Sequence, residues 1–361
     1  MGIGVDYMCS STDSSNSGEC IWQYPWGQSP QRCFIIWCMH SAVVFNITSR
    51  RSFLRIFAYW DKPMSIPAYL QLCLATWQAH GGIKEVCLIT DANLHEWISE
   101  DVLDLNALQQ YPIPQRKDAI EIAILAHYGG LFLDADTICT SPPLAIQEAL
   151  ARYEIALYGF HLAAVGAQPG SKTVGRWLEL LQQTLTIPRE KLVLASGSNF
   201  FMLGNYTFEL LRDELATGKP AVPGKSYTKA VALVRKIRRH RMLKSKEQKF
   251  VKQIDPGKSG FIGEYDHRKK DRLNAMERYE SFWFSKHTPI NAVSSHATTL
   301  IGLHHSWTPG NYSAMGFEEL SEDQSLLSRY LMYLLGRFDA PDLSVFKDVR
   351  PSVTLNNNQT F

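Results

Sequence analysis

The fold is decided by residues 115–137, which read QRKDAIEIAILAHYGGLFLDADT. Prolines precede this stretch and a run of apolar residues follows Asp118, which predicts a helix that is buried nearly all round. Gly129 and Gly130 supply the left-handed backbone that ends such a helix. Residues 131–133 are continuously apolar, as in a strand that is buried on both faces of a parallel sheet.

The predicted strand ends in two carboxylates, Asp134 and Asp136, separated by one alanine. Open α/β sheets bind their ligands at the carboxyl ends of the strands. Carboxylate oxygens suit Mg²⁺ or Mn²⁺, which is often shared with a diphosphate. The alternative is a solvated turn, because aspartate is common after strands. The helix, the glycine pair and the apolar strand that precede the two carboxylates favour the metal site.

Two further strand patterns lie upstream of this stretch. Residues 55–60 (RIFAYW) and 85–90 (EVCLIT) are mostly apolar runs, and residues 66–80 between them have the spacing of a helix. The order strand, helix, strand, helix, strand predicts right-handed crossovers and hence parallel pairing. The predicted fold class is therefore α/β, with a mainly parallel sheet and helical additions.

The pattern that begins at Asp118 and ends in GGLFLDAD at residues 129–136 resembles the Asp-X-Asp glycosyltransferases of family 32 and the related capsular polysaccharide synthesis proteins. More distantly it resembles the glucosylating bacterial toxins. The resemblance covers roughly residues 55–335. It implies a single GT-A domain, which is Rossmann-like and binds nucleotide-diphospho-sugars. It also implies transfer of a sugar, with retention of configuration, from a UDP- or GDP-sugar donor to a glycan or lipid-linked acceptor.

The resemblance further implies roles for individual residues. Asp134 and Asp136 would hold Mn²⁺ or Mg²⁺, and Asp118 would contact the donor sugar or ribose. Trp60, at the end of the first strand, is similar in position to an aromatic residue that stacks on the nucleotide base; a core aromatic is the alternative. Asn199, in a glycine-punctuated segment, would reach the donor sugar; an asparagine that caps a helix or turn is the alternative.

Near the carboxyl end, residues 299–307 read TLIGLHHSW, a strand pattern that runs into two histidines. In the family a histidine-containing segment followed by Ser-Trp closes over the diphosphate, which implies Trp307 as a nucleotide contact and a histidine as a metal contact. His304 and His305 point in opposite directions if the strand continues, so only one would face the site. The family pattern favours His304, and a structural role for the pair is the alternative.

One position departs from the family, and two rival functions stay open. Glu121 stands where the family commonly carries an arginine that helps to hold the sugar, so the donor differs or another cation substitutes. The same glutamate suggests a sugar-nucleotide-binding protein without transferase activity. The second rival is a haloacid-dehalogenase-type phosphatase with Asp134 as nucleophile and Asp136 as general acid. That family needs a later metal-binding aspartate cluster, which the sequence lacks after residue 140.

Composition and segment boundaries set the expected organisation. The chain has 361 residues, a formal net charge of +2 and 45% hydrophobic residues, which is typical of a soluble globular protein. Its seven scattered cysteines do not indicate a disulfide framework. Residues 1–54 are predicted to be a poorly ordered extension, residues 55–340 the GT-A domain, and residues 341–361 a polar tail.

Two segments bear on location and partners. Residues 33–47 are apolar over about 15 positions, against about 20 for a membrane span, so an anchor and a poorly ordered extension both stay open. The cytoplasm, a membrane surface and a Golgi or secretory membrane remain candidate locations. Residues 227–252 predict a basic helical insertion, whose basic part, residues 229–252, has anionic lipid headgroups or a polyanionic acceptor as candidate partners. A solvated insertion is the alternative, and no nucleic-acid recognition motif accompanies the charge.

Overall fold

The computed structural model describes the greater part of the predicted GT-A domain. The described residues are 55–62, 66–82, 86–158, 162–196, 202–224, 250–254, 261–263, 272–294 and 299–336. The predicted extension with its apolar stretch, the polar tail, Asn199 and residues 227–249 of the basic insertion lie outside these ranges. The predicted domain boundaries therefore stay predictions.

Nine strands form two sheets in the described residues. The first sheet has the strand order β2-β1-β3-β6-β5-β7, and only β6 runs antiparallel to its neighbours. The second sheet has the order β4-β9-β8, with β9 antiparallel to β4 and parallel to β8. The strands are β1 (Ile56–Trp60), β2 (Val86–Thr90), β3 (Gly130–Leu133), β4 (Thr137–Cys139), β5 (Ile155–Tyr158), β6 (Ala164–Ala167), β7 (Val251–Ile254), β8 (Phe261–Gly263) and β9 (Leu300–Gly302).

Helices connect and cover these strands. In the described residues they are α1 (Ala68–His80), α2 (Leu94–Trp97), α3 (Leu105–Leu108), α4 (Ile113–Tyr128), α5 (Leu144–Leu150), α6 (Lys172–Leu185), α7 (Arg189–Ser196), α8 (Gly204–Thr217), α9 (Arg272–Trp283), α10 (Asn291–Ser294), α11 (Gly310–Ala314), α12 (Phe317–Glu322) and α13 (Leu326–Leu335). A short 3-10 turn covers His305–Trp307. None of the helices in the described ranges is both long and apolar enough to cross a membrane.

The junction between α4 and β3 follows the sequence closely. The helix begins after Pro112 and ends at Gly129, whose φ is +63°, and Gly130 follows with φ +97°. A Cβ atom on Gly129 would lie 2.4 Å from the backbone nitrogen of Pro169, and one on Gly130 would lie 2.6 Å from the carbonyl oxygen of Arg55. Backbone conformation and lack of space therefore both require the two glycines.

The first sheet is covered on both faces. Leu131 and Leu133 of β3 pack into a hydrophobic cluster with α1 and α13, and Phe132 packs into a second cluster with α4, α6 and α8. Burying apolar side chains on both faces supplies the main driving force for this layered arrangement. The predicted α/β class, the mainly parallel sheet and the two-sided burial of β3 are confirmed, and the arrangement is consistent with a GT-A domain.

Candidate active site

The two carboxylates lie where the chain passes from the first sheet into the second. Strand β3 ends at Leu133, and β4 begins at Thr137, so Asp134 and Asp136 occupy the three-residue link between them. The peptide N–H of Asp134 donates to the carbonyl of Ala163 at 2.9 Å, which continues the β3–β6 pairing. The Asp134 carboxylate thus stays at the carboxyl end of the first sheet.

Strand pairing in the second sheet brings the C-terminal histidines to the same link. Thr137 of β4 is paired with Gly302 of β9, and the N–H of Leu303 donates to the carbonyl oxygen of Asp136 at 3.0 Å. Two residues later the N–H of His305 donates to Asp136 Oδ2 at 2.8 Å. The pairing of β4 with β9 therefore fixes the surroundings of Asp136.

A buried ammonium group holds the Asp134 side of the site. Lys117 Nζ lies 2.7 Å from Asp134 Oδ1, 3.0 Å from Glu121 Oε2 and 3.1 Å from Asp118 Oδ1. It also donates to the carbonyl oxygen of Leu162 at 3.0 Å. Through this ammonium group, the first half of α4 is connected to the end of β3.

Burial and charge shift the pKa values in this cluster. The Glu121 side chain is fully buried, and burial holds its pKa well above the usual range, although Lys117 opposes the shift. Burial also raises the pKa of Asp118. Burial alone would lower the pKa of Lys117, but Asp134, Glu121 and Asp118 together hold it well above its usual value. Lys117 is therefore held in its charged form by the three carboxyl groups around it.

Asp136 has a different electrostatic environment. Burial and the nearby charge of Asp134 raise the pKa of Asp136 to about 7, and the hydrogen bond from the His305 N–H opposes the shift. Repulsion between the Asp134 and Asp136 carboxylates thus disfavours the ionised form of Asp136. A cation bound to both carboxylates would relieve that repulsion.

The His305 ring connects this link to β1 and α1. Its Nδ1 shares a hydrogen bond with the Tyr69 hydroxyl at 2.6 Å, and burial lowers the pKa of the imidazole. The indole of Trp60, at the end of β1, meets the same ring edge-on with 5.1 Å between the centroids. Trp60 is therefore close to the carboxylate link, as a nucleotide-contacting residue would be.

His304 and Trp307 lie together on the other side of this turn. Their rings are 4.2 Å apart, and both are within 6 Å of the Tyr279 ring. Strand β9 ends at Gly302, so the alternation expected of a continuing strand does not decide which histidine faces Asp136. The contact with Asp136 is made by the backbone of His305, and the role of His304 as a metal ligand stays a prediction.

A close approach of helix α8 holds Asp118 from its other side. A Cβ atom on Gly204, the first residue of α8, would lie only 2.1 Å from Asp118 Oδ2 and 2.6 Å from Leu162 Cδ1. Only a residue without a side chain leaves room for the carboxylate there. Asp118 is thus confined between Lys117 and the N-terminus of α8, where the helix dipole favours a negative charge.

The structure brings together most of the predicted site. Asp118 and Asp134 share Lys117, and Asp136 and Trp60 share His305. Asn199 lies outside the described residues, so its predicted contact with the sugar stays a prediction. The sequence analysis did not identify Lys117, Gly204, His305 as the Asp136 contact, or Tyr69. The i, i+4 spacing of Lys117 and Glu121 on a helix was the one local signal for the lysine.

The residues present fit a divalent cation with few protein ligands. In the described part of the chain, no group of three or more His, Cys, Asp and Glu side chains converges as a metal site. Asp134 and Asp136 offer hard carboxylate oxygens, and Mg²⁺ commonly takes only one or two carboxylates besides water and substrate phosphates. The donor set therefore fits an ion that shares its coordination with a diphosphate.

Comparisons with known proteins bear on the family. Residues 43–211 match the sequence model of a family described as capsular polysaccharide synthesis protein. This match confirms the resemblance predicted from residues 115–137. A solved structure named PaToxG glycosyltransferase is similar, with 14% sequence identity, a TM-score of 0.29, and coverage of 51% of this chain and 83% of its own. No curated protein sequence matches the chain.

Proposed function

We propose that this chain is a glycosyltransferase that moves a sugar from a UDP- or GDP-sugar to a glycan or lipid-linked acceptor, with Mn²⁺ or Mg²⁺ as cofactor and with retention of configuration. The observation that carries the proposal is the pair of carboxylates at the carboxyl end of β3, where burial and mutual repulsion raise the pKa of Asp136 to about 7. The match of residues 43–211 to capsular polysaccharide synthesis proteins supports the same class of reaction.

The division of labour among the residues follows from their positions. Asp134 and Asp136 would hold the metal ion, and when bound the ion neutralises negative charge on the departing nucleoside diphosphate. Asp118, confined between Lys117 and Gly204, would accept hydrogen bonds from hydroxyl groups of the donor sugar or ribose. Its confinement means that little rotamer freedom is lost on binding.

Aromatic side chains would bind the rest of the nucleotide. Trp60 presents an indole beside His305, and the buried indole nitrogen of Trp60 has no hydrogen-bond partner within the described residues. We assign Trp60 to the base. Trp307 and His304, on the 3-10 turn and just before it, are assigned to the diphosphate side of the nucleotide, as the family pattern implies. The basic segment 229–252 is assigned to a membrane surface or an anionic acceptor.

A thermal-shift panel tests the proposal. The protein is titrated with UDP, GDP and their common sugar conjugates, each with and without Mn²⁺. We expect one nucleotide to raise the melting temperature only when Mn²⁺ is present, by the mass-action stabilisation of the folded state. The shift should vanish in Asp136→Ala and persist in Glu148→Ala, which removes an exposed carboxylate of α5.

Two results would contradict the proposal. No nucleotide shifts the melting temperature with or without Mn²⁺, or the shift survives in Asp136→Ala. In the first case a phosphatase assay with Asp134→Asn tests the rival reaction. A metal-dependent shift without any release of nucleoside diphosphate from a sugar conjugate would instead indicate a binding protein without transferase activity.

A further inference from the structure

The single positive charge of Lys117 lies among three acidic side chains. Its ammonium group has three hydrogens, and four acceptors surround it at 2.7 to 3.1 Å: carboxylate oxygens of Asp134, Glu121 and Asp118 and the carbonyl oxygen of Leu162. Only 14% of the lysine side chain is exposed. All its hydrogens are therefore engaged inside the protein, and the group has none left for a substrate.

These contacts connect three separate parts of the chain. Asp118 and Glu121 lie on α4 with Lys117 itself, Asp134 follows β3, and Leu162 precedes β6. Through the lysine, the carboxylate assigned to the sugar and a carboxylate assigned to the metal share one donor. A change in the position of the ammonium group would move both.

The same contact competes with a metal ion. The ammonium of Lys117 occupies Asp134 Oδ1, and a divalent cation on the Asp134 carboxylate would lie close to that positive charge. Like charges at such distances repel strongly in a site of low dielectric. Glu121 and Asp118 offset part of this repulsion, yet they already face the lysine. Among these four acidic side chains, Asp136 alone has no ion pair with a lysine or arginine in the described residues.

We propose that Lys117 is a positioning residue that holds Asp118 and Asp134 in the arrangement for donor binding and weakens the binding of free metal ions, so that the cation enters together with the nucleotide diphosphate. The inference rests on the proposed function. A diphosphate brings negative charge of its own, which compensates for the positive charge of the lysine. The metal–nucleotide complex is therefore bound in preference to the metal alone.

Binding of Mn²⁺ alone, measured by the paramagnetic resonance signal of the free ion, tests this directly. We expect Lys117→Met to bind Mn²⁺ at least fivefold more tightly than the wild type, because the competing ammonium is gone. Lys117→Arg keeps the positive charge and should bind Mn²⁺ as weakly as the wild type. Lys219→Met removes an exposed lysine after α8 and should leave Mn²⁺ binding unchanged.

A second readout separates positioning from a merely structural role. With a UDP- or GDP-sugar as donor, Lys117→Met should lose roughly tenfold or more in turnover while its affinity for Mn²⁺ rises. A residue that only supports the fold would lower both. Since removing one partner of a buried ion pair can prevent folding, the double variant Lys117→Met/Glu121→Gln is compared with Glu121→Gln. These two proteins differ only at residue 117, where methionine replaces the lysine and its ammonium group.

The outcomes distinguish the inference from the function on which it rests. If the wild type responds to nucleotide with Mn²⁺ but removing the lysine leaves the affinity for Mn²⁺ unchanged or weaker, in both backgrounds, the inference is wrong and the proposed function stands. If the wild type shows no response to any metal–nucleotide combination, both are wrong. Tighter binding of Mn²⁺ together with reduced turnover in the lysine variants supports the inference.

Discussion

Asp134 and Asp136 are two residues apart, yet they belong to different regions of the molecule. The Asp134 side belongs to the first sheet and α4, and the chain itself supplies a positive charge there through Lys117. The Asp136 side belongs to the second sheet, and its described partner is the backbone N–H of His305. Burial of Asp136, together with the nearby charge of Asp134, raises its pKa to about 7, and the His305 N–H offsets only part of that shift. Two carboxylates of one short motif can thus have different surroundings: Asp134 contacts a lysine ammonium group, and Asp136 accepts a backbone hydrogen bond.

The largest expected effect is a difference in enzymatic activity between variants of Asp136 and Asp134. If the proposed function holds, Asp136→Asn should reduce release of nucleoside diphosphate by ~10³-fold, because a ligand of the proposed charge-neutralising ion is lost. Asp134→Asn should cost only ~10²-fold, since Lys117 already shares that carboxylate. Both variants should keep the circular dichroism spectrum of the wild type. Equal losses in the two variants would mean that the two sides of the site are equivalent.

The next effect concerns the confinement of Asp118 on the first-sheet side. Gly204→Ala places a methyl group where Asp118 Oδ2 lies, so the carboxylate must rotate away from its position beside Lys117. We expect a loss of about 1–3 kcal/mol in the free energy of unfolding, measured by urea titration, and a weaker nucleotide-sugar response in the thermal-shift assay.

A matched control for this variant lies on the neighbouring helix. Gly175 is inside α6, and a Cβ atom there would meet nothing within 4 Å. Gly175→Ala should therefore stabilise the protein by roughly 0.5–1 kcal/mol through helix propensity alone. An unchanged nucleotide response in Gly204→Ala would show that Asp118 does not need its present position.

The pH dependence of stability tests the Asp136 side without any ligand. The pKa of Asp136 is raised from 3.8 to about 7 in the folded protein, so between these values the folded state binds more protons at this group than the unfolded state. Its contribution to stability therefore falls as the pH rises from about 4 to about 7, and levels off above that. The slope is at most about 1.4 kcal/mol per pH unit.

Comparing Asp136→Asn with the wild type isolates the contribution of Asp136 to this pH dependence. The free energy of unfolding of Asp136→Asn minus that of the wild type, measured in the presence of a chelator, should increase across the same pH window. A flat difference for Asp136→Asn would contradict the raised pKa.

The smallest expected effect concerns the hydrogen bond between Tyr69 and His305, which lies beside Asp136. Tyr69→Phe removes the hydroxyl that shares a hydrogen bond with His305 Nδ1 and leaves the ring in place. We expect a loss of about 1 kcal/mol in stability by thermal denaturation and a modest rise in the KM for the donor. Tyr333→Phe, which alters an exposed tyrosine of α13, should change neither quantity.

Local sequence patterns predicted the elements whose structure depends on neighbouring residues. The helix, the glycine pair and the apolar strand of residues 113–133 were all expected, because periodicity and backbone requirements act within a few residues. The strand pattern of residues 299–307 was expected and contains β9, but the reversed direction of β6 and the pairing of β4, β9 and β8 into a second sheet were not. Strands β4, β8 and β9 have three residues each, and their pairing joins residues far apart in the sequence.

The same distinction explains what was found and missed at the site. The carboxylates follow a strand, so their position at the sheet edge could be inferred from order alone. Which histidine backbone reaches Asp136 depends on the register of β4 with β9, for which no residue type gives a signal. The inward direction of Lys117 depends on where Asp134 and Leu162 lie in space, and a lysine at the start of a helix is more often solvated.

Because the chain passes from the first sheet into the second, the contacts of Asp134 and Asp136 can form at different times during translation. Lys117 and Asp134 emerge from the ribosome close together, but His305 follows Asp136 by 169 residues. At about 5–20 residues per second, roughly 10–30 s separate the two. During that interval the strands of residues 56–133 can pair while Asp136 still lacks its partner. The half of the site around Lys117 and Asp134 can therefore form early, and the half around Asp136 and His305 is completed only after His305 has been synthesised.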